Sequence, residues 1–474
     1  MPVRSFTINN SFPPWFSTKT KNLIKEKQKI RKQYLSNKEP TTYSIFSNIR
    51  KEVKLNILQD KDLYYERLQS NINNDPKYFW SHVNNLRKDK GIPSEFIINN
   101  ELIKDENIIS NEFNFFFKSN FQDADETTTL PDFSVNSHNF LKDVSISENI
   151  IKKHINTLKL KNTAGSDGIP EILLKLTKNE IVKPLYIIYN KCIQEGIFPS
   201  VWKHSIVRPV FKKGDKNKIE NYRPISLICT FSKLFEKLIY SDLLPFFQPL
   251  MSNCQHGFMP KRSTLTNLSH LQSIIALNKR NNSPTDIIYT DFNKAFDSVS
   301  HSYLLHKLSK YGITGSLLSL FQSYLLNRSQ SVKFLNSDSS SIAVTSGVPQ
   351  GSVLGPLLFI IYVNDLPDSI LYSYILIFAD DCKIFRAITT AYDRILLQCD
   401  LNNFAEWSLK WKLKFNVSKC KVLSIFSNEA DINYTLNDTK LSQVQDINDL
   451  GIIIQSDFKF TAHINSVFNK ASNP

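Results

Sequence analysis

The six cysteines of this chain, Cys192, Cys229, Cys254, Cys382, Cys399 and Cys420, are scattered with no C-x-x-C spacing. That excludes a zinc-ribbon pattern and a disulfide framework and points to reduced thiols in an intracellular protein. No apolar run reaches the roughly 18 residues that cross a bilayer, and the N-terminus has no secretory pattern, so no membrane partner is expected. H-E-x-x-H, a Walker lysine loop and a G-x-S-x-G nucleophile are all missing, which sets aside zinc-protease, P-loop and serine-hydrolase chemistry. What the chain has in excess is positive charge. Its 58 Lys and Arg outnumber 44 Asp and Glu, for a net +14, the balance of a protein with a polyanionic partner, most simply nucleic acid. With 41% hydrophobic and 12% aromatic residues over 474 positions it can build a large core in several subdomains.

The excess charge is densest at the start, where residues 1–60 carry twelve Lys and Arg against four Asp and Glu. Leu23, Ile30 and Tyr34 fall near one face of a helix over Lys19–Tyr34 that is otherwise Lys, Gln and Arg. Such a helix is either a nucleic-acid-gripping arm or a solvated face on a globular body. Further helices are predicted over Asp62–Arg87 and Ile103–Phe121, the Phe cluster of the second (Phe113, Phe115, Phe116, Phe117, Phe121) being core. Residues 122–145 are polar and read as a linker. Beyond them, Gly165-Ser166-Asp167-Gly168 forms a loop able to bring backbone N–H groups to phosphate, although turns use the same residues. A helix is expected over Glu171–Glu195. Ser205–Phe211 and Asn221–Leu227 then read as a two-stranded flap carrying Lys212 and Arg223, a point-charge and a bidentate phosphate binder.

Three stretches carry the chemistry. Asp286–Phe292 is a buried strand that delivers Asp291 near its C-terminal end. Gly347-Val348-Pro349-Gln350-Gly351-Ser352-Val353-Leu354-Gly355-Pro356 packs three glycines and two prolines into ten residues, with Gln350 as the side chain able to donate and accept. Phe378-Ala379-Asp380-Asp381 sits between apolar runs that read as the strands of a tight hairpin. Side-by-side carboxylates repel unless a cation joins them. If the strand ends bearing Asp291 and Asp380-Asp381 lie together in an antiparallel sheet, the three acids suit two divalent cations about 4 Å apart, the arrangement for in-line phosphoryl displacement. Leu450–Ile454 is the last apolar strand.

Asn-Tyr-Arg-Pro-Ile-Ser-Leu (221–227), Asp-Phe-Asn-Lys-Ala-Phe-Asp-Ser-Val (291–299), the glycine-proline loop (347–356) and Phe-Ala-Asp-Asp (378–381), in that order, resemble the reverse transcriptase of non-LTR retrotransposons, most closely the Jockey type. The resemblance is strong over about 147–464. It implies an α+β right-hand polymerase: a basic, mainly helical connector (1–145), fingers with a template-binding extension (146–285), and a palm (286–464) whose antiparallel sheet has helices on one face. The rest, 465–474, would be the start of a largely missing thumb.

The same resemblance implies roles for individual residues. Asp291, Asp380 and Asp381 would hold two Mg²⁺, with Mn²⁺ as a substitute. Phe296 would be the steric gate against a 2′-hydroxyl, Lys212 and Arg223 the triphosphate contacts, and Gln350 with Gly351 the support for nucleotide and template. Lys419, with Asn416 before it, would protonate pyrophosphate. Gly165, Ser166 and Asp167 would hold the template, and Leu450 and Gly451 the primer. The partners would be an RNA template, a DNA primer and dNTPs, in nucleus or cytoplasm. Two departures stand out: nothing resembles the endonuclease that related elements carry ahead of the connector, and Asp449 replaces the usual Tyr before Leu450-Gly451. A second expectation, from another class, is a nucleic-acid-binding remnant that no longer polymerises.

Overall fold

A computed structural model describes residues 12, 13, 15–71, 92–122, 130–133, 135, 139–160, 162–427, 429 and 432–472. The chain forms two compact units, residues 1–91 with 474, and 92–473.

The first unit is a helical hairpin of α1 (Thr18–Asn37) and α2 (Pro40–Asn71). Ser17 caps α1 by accepting from the Thr20 amide, and its own amide donates to Asp60 of α2 at 2.7 Å. Lys38, at φ 51°, turns the chain, while Thr20, Ile24, Val53 and Leu68 are buried and the Lys-rich surface faces solvent. The continuation of the second predicted helix to Arg87 lies outside the described residues.

The second unit opens with a small hairpin, β1 (Phe96–Ile98) and β2 (Glu101–Ile103), followed by α3 (Glu106–Lys118). Phe113 and Phe117 are core, as the aromatic pattern predicts, and pack with Phe96, Tyr222 and Phe334, whereas Phe115 is exposed. Next come α4 (Glu148–Thr157), α5 (Glu171–Leu176) and α6 (Lys178–Glu195). The single helix expected over 171–195 breaks at Thr177, whose hydroxyl donates back to the Leu173 carbonyl. Then follow β3 (His204–Phe211), β4 (Tyr222–Leu227), α7 (Thr230–Phe247), α8 (Thr264–Arg280), β5 (Thr285–Asp291), α9 (His301–Lys310) and α10 (Gly315–Leu325). The remainder is β6 (Arg328–Phe334), β7 (Ser337–Asp338), β8 (Ile342–Val344), α11 (Leu354–Tyr362), β9 (Tyr374–Phe378), β10 (Asp381–Ala387), α12 (Ala391–Lys410), β11 (Lys421–Ile425), β12 (Thr435–Leu436), β13 (Thr439–Lys440), β14 (Ser442–Val444), β15 (Asp446–Asp449), β16 (Ile452–Gln455) and α13 (Thr461–Ser472).

Two five-stranded sheets organise this unit. One runs β14-β11-β5-β10-β9, antiparallel except for the parallel β11–β14 pair. The other runs β4-β3-β6-β7, with β8 also on β6 and β3 parallel to β6. Helices and sheets are mixed, as expected of an α+β chain, but helices on one face of the first sheet is not what forms. Ile288, Ile377, Ile384 and Val422 belong to the main core, to which α9, α11 and α12 contribute. Ile287, Leu376, Phe385 and Leu423 point the other way and pack with Leu271 and Ile275 of α8 and Ile454 of β16. Both faces are covered because β5 is apolar on both sides, the signature of a central strand. All six cysteines are free, and among the described residues no helix is long and apolar enough to cross a membrane.

Candidate active site

The register of the first sheet brings the acids together. Asp291, the last residue of β5, lies directly opposite Asp381, the first of β10, and Asp381 in turn pairs with Phe378. Ala379-Asp380 is therefore the two-residue turn of a hairpin, with Ala379 at φ 59°, a conformation usually left to glycine at that position.

The protein holds the turn from behind. The Gln255 side-chain oxygen accepts from the amides of both Ala379 (3.0 Å) and Gly257 (2.8 Å). Residues 254–256 run alongside β9, with the His256 amide donating to Ile377 at 2.8 Å. A Cβ at Gly257 would sit 2.4 Å from the Ala379 nitrogen, so only glycine allows the two backbones this close.

Asp380 and Asp381 face an unfavourable field. Although Asp381 is open to solvent on one side, the protein packed around it, and then the charges of Asp380 and Asp291, push its carboxyl up to about 6. Asp380 is raised by burial and by Asp291. Lys419 Nζ lies 2.9 Å from Asp291 Oδ2, and the Asn416 amide donates to the Asp291 carbonyl at 2.8 Å. Among the described residues no three acidic, His or Cys side chains form a ready-made ion site.

Across the cleft, β3 and β4 form a hairpin joined at Lys212, whose amide donates to the Asn221 carbonyl, with Arg223 opposite Val210. Burial and then Arg223 lower the Lys212 ammonium from its usual range. Phe296 stacks on Phe359 with ring centres 4.3 Å apart and meets the edge of Phe258. Gln350 donates from Nε2 to Asp297 Oδ1 at 2.7 Å. Gly351, at φ 123°, passes so close to β4 that a Cβ would lie 2.5 Å from the Ser226 carbonyl oxygen. The buried Glu236 carboxylate accepts from the amides of Val353 and Leu354 at 2.8 and 3.1 Å, anchoring the loop where α11 begins.

Lys212, Arg223, Asp291, Phe296, Gln350, Asp380 and Lys419 thus line one cleft of about 450 Å³. Asp381 and Gly351 do not line it, but each is the chain neighbour of a residue that does, Asp380 and Gln350. The other proposed contacts lie outside it. Ser166 Oγ donates to the His204 carbonyl at 3.1 Å, Asp167 accepts from the Ile169 amide, and a Cβ at Gly165 would meet the backbone of Ile228 and Cys229 at 2.6 Å. Leu450 and Gly451 do not begin a strand: at φ 49° and 95° they are the turn between β15 and β16, Leu450 half-buried and Gly451 exposed, because two successive positive φ values fit a tight hairpin turn and not an extended strand.

Sequence reasoning passed over several residues that shape this site. Gln255 and Gly257 were assigned no role. Asp297 lay inside a quoted motif without a role. Asp449, noted as a departure, is buried, takes the Lys383 ammonium of β10, and accepts from the Tyr289 hydroxyl of β5 at 3.2 Å. The available signal was alternation: Lys383 lies two residues from Asp381 on the same strand, and Tyr289 is its register partner.

Residues 211–456 match the family described as reverse transcriptase (RNA-dependent DNA polymerase). The chain is 26% identical over 486 residues, covering 96% of it and 53% of the relative, to the probable RNA-directed DNA polymerase from transposon BS of Drosophila melanogaster. It is 28% identical to the RNA-directed DNA polymerase from mobile element jockey of Drosophila funebris, covering 67% of the chain and 36% of that protein. A further match, at 28%, is to the probable RNA-directed DNA polymerase from transposon X-element of Drosophila melanogaster, covering 64% and 34%. The chain therefore spans between about a third and about half the length of these relatives. With more than half of its residues inside the matched region, and the acids, basic hairpin and glycine-proline loop gathered at one cleft, the chain belongs to the reverse transcriptase family.

Proposed function

We propose that the chain is the RNA-directed DNA polymerase of a non-LTR retrotransposon, adding dNTPs to a DNA primer on an RNA template. The observation that carries this reading is the convergence of separate segments on one cleft: Lys212 just after β3 and Arg223 on β4, Asp291 at the end of β5 and Phe296 in the loop beyond it, Gln350 before α11, an acid of the β9–β10 turn, and Lys419 before β11. In this reading the β3–β4 hairpin belongs to the fingers and the sheet bearing the acids to the palm.

Asp291, Asp380 and Asp381 would hold divalent cations, with Mg²⁺ as the first choice. The residues fit: Asp291 and Asp381 face each other in register with Asp380 in the adjoining turn, and a bound cation offsets the carboxylate repulsion that, after burial, pushes Asp381 up to about 6. When bound, the ions supply acidification of the primer 3′-hydroxyl and neutralisation of the triphosphate charge. Lys212 and Arg223 bind and orient the triphosphate. The primer oxygen forms its bond to the α-phosphorus as the bond to the pyrophosphate oxygen breaks. Lys419 Nζ, now beside Asp291, gives a proton to that leaving oxygen. Phe296, braced by Phe359, fills the space a ribose 2′-hydroxyl would need, while Gln350 and Gly351 support the nucleotide. Gly165, Ser166 and Asp167 serve the template, and Leu450 and Gly451 the primer end.

Primer extension on an RNA template, comparing dNTPs with rNTPs, tests the reading. Extension should require a divalent cation and prefer dNTPs, and Phe296→Val should narrow that preference. Salt-sensitive RNA binding without extension at any enzyme concentration would overturn it.

A further inference from the structure

Gln350 has one feature that its place in the cleft does not explain: its amide is held in a single sense. Burial pushes the Asp297 carboxyl up to about 6; above that pH it is ionised and can only accept hydrogen bonds, so the 2.7 Å contact to Asp297 Oδ1 requires the Gln350 NH₂ group to face Asp297 and turns its carbonyl oxygen away. Asp297 is itself held. It is 6% exposed, and the neighbouring backbone is bound into the glycine-proline loop. The Ser346 hydroxyl donates to the Asp297 carbonyl at 2.7 Å, the Val348 amide to Phe296 at 2.9 Å and the Gly347 amide to Val299 at 2.7 Å. A Cβ at Gly347 would fall 2.8 Å from the Asp297 Cα. The segment carrying Phe296 and the loop carrying Gln350 are consequently one body.

A bond needed only to tie these segments together would be served by Asn, which leaves no buried negative charge behind. The chain instead places an acid there whose second oxygen, Oδ2, is buried without a hydrogen-bond partner, an arrangement that costs stability. Besides a negative charge near the Lys294 ammonium, what Asp provides and Asn does not is direction: Asn can donate or accept, so it would let the Gln350 amide flip.

We propose that Asp297 is a positioning residue that fixes the sense of the Gln350 amide, so that the cleft meets an incoming nucleotide with a hydrogen-bond acceptor. The inference rests on the nucleotide-binding reading of the cleft given above. It assigns Asp297 no contact with substrate; its whole effect passes through Gln350.

The test is a double-mutant cycle on the full chain bound to an RNA template and DNA primer. Binding of a fluorescent dNTP, which needs no turnover, is read beside primer extension. Asp297→Asn should weaken nucleotide binding by about 10-fold, as loss of a directed hydrogen bond does. In a Gln350→Met background the same change should have no further effect, within about two-fold. The reciprocal swap supplies the second arm. Gln350→Glu sets two carboxylates against each other and should bind poorly, and adding Asp297→Asn should restore binding, because the hydrogen bond returns with the donor on the other side. If Asp297→Asn alone melts below the assay temperature, this swap decides.

Equal losses from Asp297→Asn in both backgrounds, or no rescue in the swap, would overturn the inference. The intact cycle without extension would instead overturn the polymerase reading and leave this one standing. Extension with additive losses would do the reverse, and no nucleotide binding by the parent chain would overturn both.

Discussion

Two tight hairpins of the second unit turn on two residues each, and they are built in opposite ways. Ala379-Asp380 is braced: Gln255 binds the strained Ala379 amide, Gly257 is pressed against it, and residues 254–256 run beside β9. Leu450-Gly451 is open on its glycine side: Gly451 is exposed, a Cβ on it would meet nothing within 4 Å, and its amide donates to the Asn448 side chain within the same hairpin. Yet the residue before this turn, Asp449, is buried in a contact with Lys383, two residues beyond Asp381. The difference teaches where this fold spends rigidity. The turn that carries carboxylates is fixed from behind, and the bare turn is fixed at its base through the strand of the other.

The largest effect expected from disturbing this arrangement follows Gly257→Ala. The added methyl must displace the Ala379 backbone, and a shift of about 1 Å at reacting groups can lower turnover by about 100-fold. Far-ultraviolet circular dichroism should stay native while extension is lost; unchanged turnover would mean that the bracing has no bearing on the acids.

Asp449→Leu comes next. It leaves the Lys383 ammonium buried and unpaired, so unfolding by urea should show a loss of about 3–5 kcal/mol. Lys383→Met in the same chain should recover most of it. Failure of the pair to recover would show that the two hairpins are not coupled through this contact.

A smaller effect is expected from pH. The Asp381 carboxyl is pushed up to about 6, so the folded state holds its proton more tightly than the unfolded chain does. That contribution to stability is present below the ordinary carboxylate range and is lost as pH rises through about 6. A divalent cation must displace the same proton. Added Mg²⁺ should therefore raise the melting temperature more at about pH 8 than at about pH 5, and an equal shift at both would argue against these carboxylates as ligands.

Gly451→Ala should do least: with open space around it the cost is backbone strain alone, about 1 kcal/mol, with turnover within about two-fold. What loss there is should fall on primer affinity, where the proposed role of this turn places it; a large fall in turnover with primer affinity unchanged would contradict that role.

Much of this was legible in the sequence because it is local. The apolar runs on either side of Phe378-Ala379-Asp380-Asp381 specify a hairpin, and the apolar run before Asp291 specifies a buried strand, so the acids could be placed at strand ends. What was not legible depends on contacts distant in sequence. Gln255 lies 124 residues from Ala379, and Asp449 lies 66 from Lys383. Nothing in the periodicity near Gln255 says that its amide will satisfy a strained turn elsewhere. The turn at Leu450-Gly451 was read as strand because Leu and the following isoleucines are strand formers, and the glycine that permits two positive φ values was outvoted. The break at Thr177 was hidden for a similar reason: a helix pattern continues through it, and only the hydroxyl bonding back to Leu173 reveals the interruption.

The central claim is that the braced carboxylates perform nucleotidyl transfer. It is tested most directly by primer extension on an RNA template with dNTPs and Mg²⁺, comparing the parent chain with Asp380→Asn, which keeps the size of the side chain and removes its charge. The account predicts extension by the parent and a loss of about 10³-fold or more in the variant. Extension by Asp380→Asn at the parental rate would contradict it.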